Sequence, residues 1–308
     1  SVGFDAYGFD DNVTLTGGSA FIPPDPIGAA GPDRVISVTN VGIECRDKNG
    51  VLLFRDSLQN FFAPAPMTLG TFTFDPKIVW DDLAGRFVVV TLERTDVGAG
   101  APSNQSRILL AASRTATPAS ATVADWVFHG FDSKLNLGGV DVFADYPGFE
   151  IDEEAVYLCM NYFNFSTGAA TYGMRLWIVD KLALYSGIVP TVTLHDPYTV
   201  SGVPGLQTTT MPAMVSAPGG IGPGVGTFLV SYSGLTFGGP GANEALCVIR
   251  VDDPLGAVSF VQEFVTIGDI EDVGGTFGFP PLPDAPQAGG PALIEVNDRR
   301  LLDAEWRA

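Results

Sequence analysis

Residues 74–93 read FDPKIVWDDLAGRFVVVTLE, and this stretch decides the fold. A proline follows Asp75, and the next residues are β-branched or aromatic. Asp81-Asp82-Leu83-Ala84-Gly85 then makes a polar turn, and a strongly apolar run follows it. Such segments are strands, and the turn between them makes a hairpin. Farther along, SRILLAASR (106–114) and ADWVFHGF (124–131) supply a third and a fourth strand.

The same order of events recurs. An earlier copy opens PPDPIGAAGPDR (23–34) and continues VISVTN and GIECRDKNGVLLFRD, where Asn49-Gly50 tolerates the φ > 0 of a tight hairpin. A third opens ADYPGFEIDEEAVYLCMNYF (144–163), and a fourth opens TMPAMVSAPG (210–219). A fifth opens PDAPQAGGPALIEVNDRRLLDAEW (283–306) and runs for about two strands. The opening residues 25, 75, 145, 211 and 284 are 50, 70, 66 and 73 apart. A propeller blade needs about 40–50 residues plus loops, whereas a hairpin needs far fewer. The expectation is an all-β fold, a β-propeller of four-stranded blades, with about five blades in the chain. Blades start near residues 22, 72, 143, 209 and 282 of a single 1–308 domain; either residues 1–20 add strands that close the ring, or the chain is a fragment of a larger propeller. A short helical stretch, VDKLALYSG (179–187), amounts to one or two turns.

PPDPIGAAGPDRVISVTN, FDPKIVWDDLAGRFVVV, ADYPGFEIDEEAVYL and IEVNDRRLLDAEWR together resemble a group of secreted bacterial β-propeller proteins that lack an agreed activity. The resemblance implies a propeller and an extracellular, bacterial setting. In that group the chain usually runs on past the equivalent of Trp306. Met211-Pro212-Ala213-Met214 stands where the group has Pro-Ala-His, so a site using that histidine is absent here.

With 35 acidic and 16 basic residues the formal charge is −19, which repels nucleic acid and anionic membranes. No run of eighteen apolar residues spans a bilayer. A start at Ser1 fits a mature secreted protein whose leader was removed. Cys45, Cys159 and Cys247 each sit in an apolar strand and read as buried thiols. His129 and His195 end strands, are too few for a three-histidine metal site, and read as plain structural residues. No GxSxG or phosphate-binding loop occurs.

The recurring aspartate beside proline is the strongest candidate for chemistry. Innermost strands line a propeller's channel, so Asp25, Asp75, Asp145 and Asp284 are expected at equivalent heights near one mouth. Converging carboxylates repel unless a cation or protons compensate, and Ca2+ suits such an oxygen-rich ring. The alternatives are turn capping and acid/base catalysis. EIDEEAV (150–156) reads as a hairpin turn with solvated charges. Tyr162, Phe163 and Phe165, in NYFNFSTG, are candidates for stacking on sugar rings. The leading expectation is a non-catalytic extracellular propeller that binds carbohydrate or a surface protein, steadied by calcium, with no organic cofactor. A polysaccharide-degrading enzyme, hydrolase or lyase, using channel-mouth carboxylates is the second reading. A structural part of a larger surface assembly is the third.

Overall fold

The computed structural model describes residues 3–18, 21–70, 72–165, 167–168, 171–200, 209–215, 220–236, 244–268, 285–286, 293–294 and 301–307. Its sheets are blades of antiparallel strands in chain order. The first holds β1 (Ile27–Ala30), β2 (Arg34–Thr39), β3 (Gly42–Asp47) and β4 (Leu52–Ser57). The second holds β5 (Thr73–Asp81), β6 (Arg86–Thr95), β7 (Gln105–Ser113) and β8 (Trp126–Asp132). The third holds β10 (Val140–Ile151), β11 (Ala155–Asn164), β12 (Thr171–Asp180) and β13 (Val192–His195), with β9 (Leu135–Leu137) added on the inner edge. In the fourth, β14 (Met211–Pro212) pairs with β16 (Val225–Thr236), followed by β17 (Glu244–Asp252) and β18 (Ser259–Gly268). Beyond it, β15 (Met214–Val215) runs parallel to β21 (Glu305–Trp306), and β19 (Ala285–Pro286) pairs with β20 (Leu293–Ile294). The fold is a propeller with about five blades.

The period-2 geometry of a strand explains how the blades pack. On β6, Phe87 and Val89 face the first blade, among Ile36, Val38, Ile43 and Cys45. Val88, Val90 and Leu92 on its other side face the third blade, among Val156, Leu158 and Met160. Tyr157 and Cys159 on β11 turn the opposite way, onto Leu229, Cys247 and Ile249 of the fourth. A strand buried on both faces has no polar side, which is why FVVVTL reads as an unbroken apolar run. The three cysteines are buried and unpaired, as expected.

The N-terminal segment departs from the expectation of closing strands. Residues Phe9–Leu15 form a helix, α1, because the Gly8 N–H donates to Asp11 Oδ2 at 2.9 Å and Asp10 and Asp11 sit in its positive first turn. Asn12 donates its side-chain amide to the Asn40 carbonyl, and Asp11 pairs with Arg55, so α1 is pinned to the first blade. The short helix foreseen near 179–187 is present as α2 (Lys181–Ser186), capped by Asp180 and stopped by left-handed Gly187.

At Gly148 the third blade packs tightly against the fourth. A Cβ there would lie 2.4 Å from the Thr210 carbonyl oxygen and 2.9 Å from Pro212 Cδ. Backbone cannot retreat as a flexible side chain can, so Gly148→Ala is expected to cost about 1–3 kcal/mol by overpacking. Gly3→Ala, which meets open space, is expected to leave the denaturation midpoint unchanged. Equal midpoints for the two variants would contradict the close approach.

Candidate active site

The inner strands enclose a channel cavity of about 680 Å³. Its wall carries Asp25 to Ala30 of the first blade, Asp75 to Trp80 of the second and Tyr146 to Glu150 of the third, with Met211, Leu302 and Asp303. These strands run about 15–20 Å along the wall at 3.3 Å per residue. One end holds the Asp25–Asp75 mouth, and the other holds Trp80, Asp82 and Glu150.

Backbone strain builds the mouth. Asp25 and Asp75 have φ of 41° and 47°, and each precedes a proline. A residue before proline is held to extended backbone, so a left-handed one there stores strain, and such strain gathers at functional sites. In the third blade the left-handed pre-proline residue is Tyr146, with φ of 49°. The pairings agree: Phe74↔Leu92 and Lys77↔Val90 bracket the bulge in the second blade, and Asp145↔Asn161 and Gly148↔Cys159 bracket it in the third. Asp145 therefore matches Phe74 and not Asp75. The expected equivalence of the aspartates is off by one residue, and Asp145 lies behind the cavity wall, against Asp75.

Asn40 and the Tyr146 N–H tie the carboxyls together. Asn40 donates its amide to Asp25 Oδ2 at 2.8 Å, and its carbonyl oxygen accepts the Asp75 N–H at 2.7 Å. The Tyr146 N–H donates to Asp145 Oδ1 at 2.8 Å and to Asp75 Oδ2 at 3.2 Å. Burial, and then the charge of Asp75, push the Asp145 carboxyl up to about 8, so it keeps its proton at neutral pH and donates it to Asp75. Burial and Asp75 also raise Asp25 above the ordinary carboxyl range. Burial lowers Lys77, which feels Asp303, Glu150, Asp75 and Asp25 in turn, and its ammonium lies 5.8 Å from the centre of the Tyr146 ring. Among the described residues no three carboxylate, histidine or cysteine side chains gather as a metal site. Asp284 lies outside the described residues.

EIDEEAV does turn between β10 and β11, with the Glu154 and Ala155 N–H groups donating to Asp152 Oδ1. Glu150, however, is not solvated: it stands on the cavity wall, and burial, then Asp303, raise its carboxyl well above the usual range. Composition could not show this, because only the blade arrangement turns residue 150 inward.

The three aromatics predicted to stack on sugars do not form an exposed platform. β11 continues through this segment, so Tyr162 and Phe165 are buried, the Tyr162 hydroxyl accepts the Trp177 indole N–H, and Phe163 and Phe165 pack on Phe143. Trp80 stands on the cavity wall, as do Tyr146 and Phe149, and is held by Phe87 at a centroid distance of 4.7 Å. The strand alternation of KIVW was the available signal. His129 is buried against the Leu184 carbonyl and His195 meets Thr193, the plain roles expected.

No protein-family model matches the chain, and no curated protein does. Solved structures are similar to it at low TM-scores. A xylan β-1,4-xylosidase from Bacillus halodurans C-125 is 12% identical, with 81% of this chain and 43% of that one covered and a TM-score of 0.38. An exo-1,5-α-L-arabinanase from a bovine ruminal metagenomic library is 15% identical over 80% of this chain and 79% of its own, with a TM-score of 0.37. A GH43 endo-arabinanase from Bacillus licheniformis is 14% identical over 80% of each chain, with a TM-score of 0.36. The chain thus spans less than half the length of the xylosidase. They are named as a xylosidase and arabinanases, the class of the second reading and not of the leading expectation of a non-catalytic carbohydrate- or protein-binding propeller.

Proposed function

We propose that this chain is a glycoside hydrolase that cuts polysaccharide at the channel mouth. The observation that carries the reading is the Asp75–Asp145 pair, which holds a proton at neutral pH, with Asp25 on the neighbouring blade facing the same cavity. Glycoside hydrolysis needs one carboxyl that gives a proton and another that activates water or attacks carbon. Asp145 passes its proton through Asp75 to the glycosidic oxygen, and the carbon–oxygen bond breaks as that oxygen leaves as a hydroxyl. Asp25 takes a proton from the water that adds to the anomeric carbon. The raised carboxyl of Asp25 makes it the stronger base once ionised.

The test is incubation with arabinan, xylan, β-glucan and chitosan in ¹⁸O-water, followed by assay of new reducing ends. The expected result is release of oligosaccharides carrying one ¹⁸O at the new end. Unsaturated, ultraviolet-absorbing ends would mark a lyase and overturn the hydrolytic step. No release from any of the four would overturn the reading.

A further inference from the structure

The far end of the channel has chemistry that the carboxyl pair at the mouth does not use. Glu150 Oε2 is shielded from solvent and has no hydrogen-bond partner among the described residues, although its side chain stands on the cavity wall. An acceptor buried without a donor costs about 1–3 kcal/mol, so a donor from inside the cavity gains by filling it. Asp303 and Asp82 line the same end, and among the described residues Lys77 is the sole base against Asp25, Asp75, Asp82, Glu150 and Asp303 along the wall. Trp80 lines the same end of the cavity as Glu150, and Gly31 leaves room for its ring: a Cβ there would fall 2.9 Å from the indole. An aromatic face next to a buried carboxyl and a second acid suits a cation carried on an apolar ring. A bare metal ion is less suited, since among the described residues no three ligating side chains gather. A uronate would bring a further acid to a wall that already carries five.

We propose that Glu150, Asp303 and Trp80 form a subsite for the protonated amine of a sugar, and that the substrate is a glycan bearing free amino groups. The proposal rests on the glycoside hydrolase reading and names its substrate class. The ammonium donates to Glu150 Oε2 and to Asp303, and the sugar ring lies on Trp80. The charge of −19 on the whole chain draws such a polycation toward the channel.

Calorimetric titration with a glucosamine tetramer, its fully N-acetylated counterpart and a galacturonate tetramer tests it. The amine form is expected to bind more than about tenfold tighter than the acetylated form, as a charge-assisted hydrogen bond demands, and the galacturonate weakest. Glu150→Gln should erase that preference. Asp303→Asn, at an exposed position, should reduce it, and serves if the first variant fails to fold. Equal binding of the amine and acetylated forms would overturn the proposal, as would a preference that survives both substitutions. Release of neutral oligosaccharides without amine preference would sink the subsite and leave the hydrolase reading standing. Tight amine binding with no release from any polysaccharide would do the reverse.

Discussion

Asp75→Asn is expected to lower hydrolysis about 10³-fold, the scale set by loss of a positioned acid, while the melting temperature holds or rises. Asp75 is the carboxyl of the pair that faces the cavity, and Asp145 reaches the substrate only through it. An asparagine keeps an oxygen for the Tyr146 N–H, so the local fold is retained. It removes the neighbouring charge that helps Asp145 keep its proton, so the acid is lost twice over. Burial is already present in the folded chain, and relief of like-charge repulsion at the mouth offsets the lost hydrogen bond. A loss of activity that tracks a loss of melting temperature would mean that Asp75 merely holds the strand entry, the turn-capping role that the sequence also allows.

The second large effect is a stability that falls as pH rises. The Asp145 carboxyl is raised to about 8 from an ordinary value of 3.8. Between those values the folded chain holds a proton that the unfolded chain has given up. Stability from this group is therefore fully present below about pH 4, declines toward pH 8 and is flat above it, with a slope of at most about 1.4 kcal/mol per pH unit. The direction is opposite to that of a salt-bridged aspartate. Glu150, also raised, adds to the same decline. Asp145→Asn removes the Asp145 share, because its amide donates to Asp75 as the protonated acid does and cannot ionise. At about 2–4 °C per kcal/mol for a chain of this size, the variant is expected to melt several degrees above wild type at pH 9 and level with it at pH 4. Parallel melting curves from pH 4 to pH 9 would contradict the assignment.

The blades were legible because each one reuses the same local chemistry. Pre-proline openings, Asp-rich turns such as Asp81–Gly85, and apolar runs like that of β6 each announce a strand or its end, and their repetition announces the ring. The helix at Phe9–Leu15 was missed even though its signal, two acids at the first turn behind Gly8, was in plain view. The closing-strand expectation rests on the two strands missing from the fifth copy and not on any pattern within residues 1–20. The Asp-Pro steps at Asp25 and Asp75 are legible from the repeat alone, since an acid followed by proline is a local feature. Asp145 was placed one residue out, because Asp145-Tyr146-Pro147 separates the acid from the proline and only the strand register shows which residue takes the bulge. Glu150 and Trp80 were not found. Whether a half-polar strand faces water or a channel depends on where the other blades stand. The aromatics at 162–165 failed for the complementary reason: a strand that continues farther than its loop-like composition suggests carries its rings into the core.

The most direct test of the central claim is a carboxyl ¹³C NMR titration of the aspartate-labelled protein from pH 3 to pH 10, for wild type and Asp145→Asn. The account predicts one aspartate signal that moves near pH 8 in the wild type and is missing in the variant. Aspartates that all finish titrating below pH 5 would contradict it, because the channel would then hold no proton to give at neutral pH.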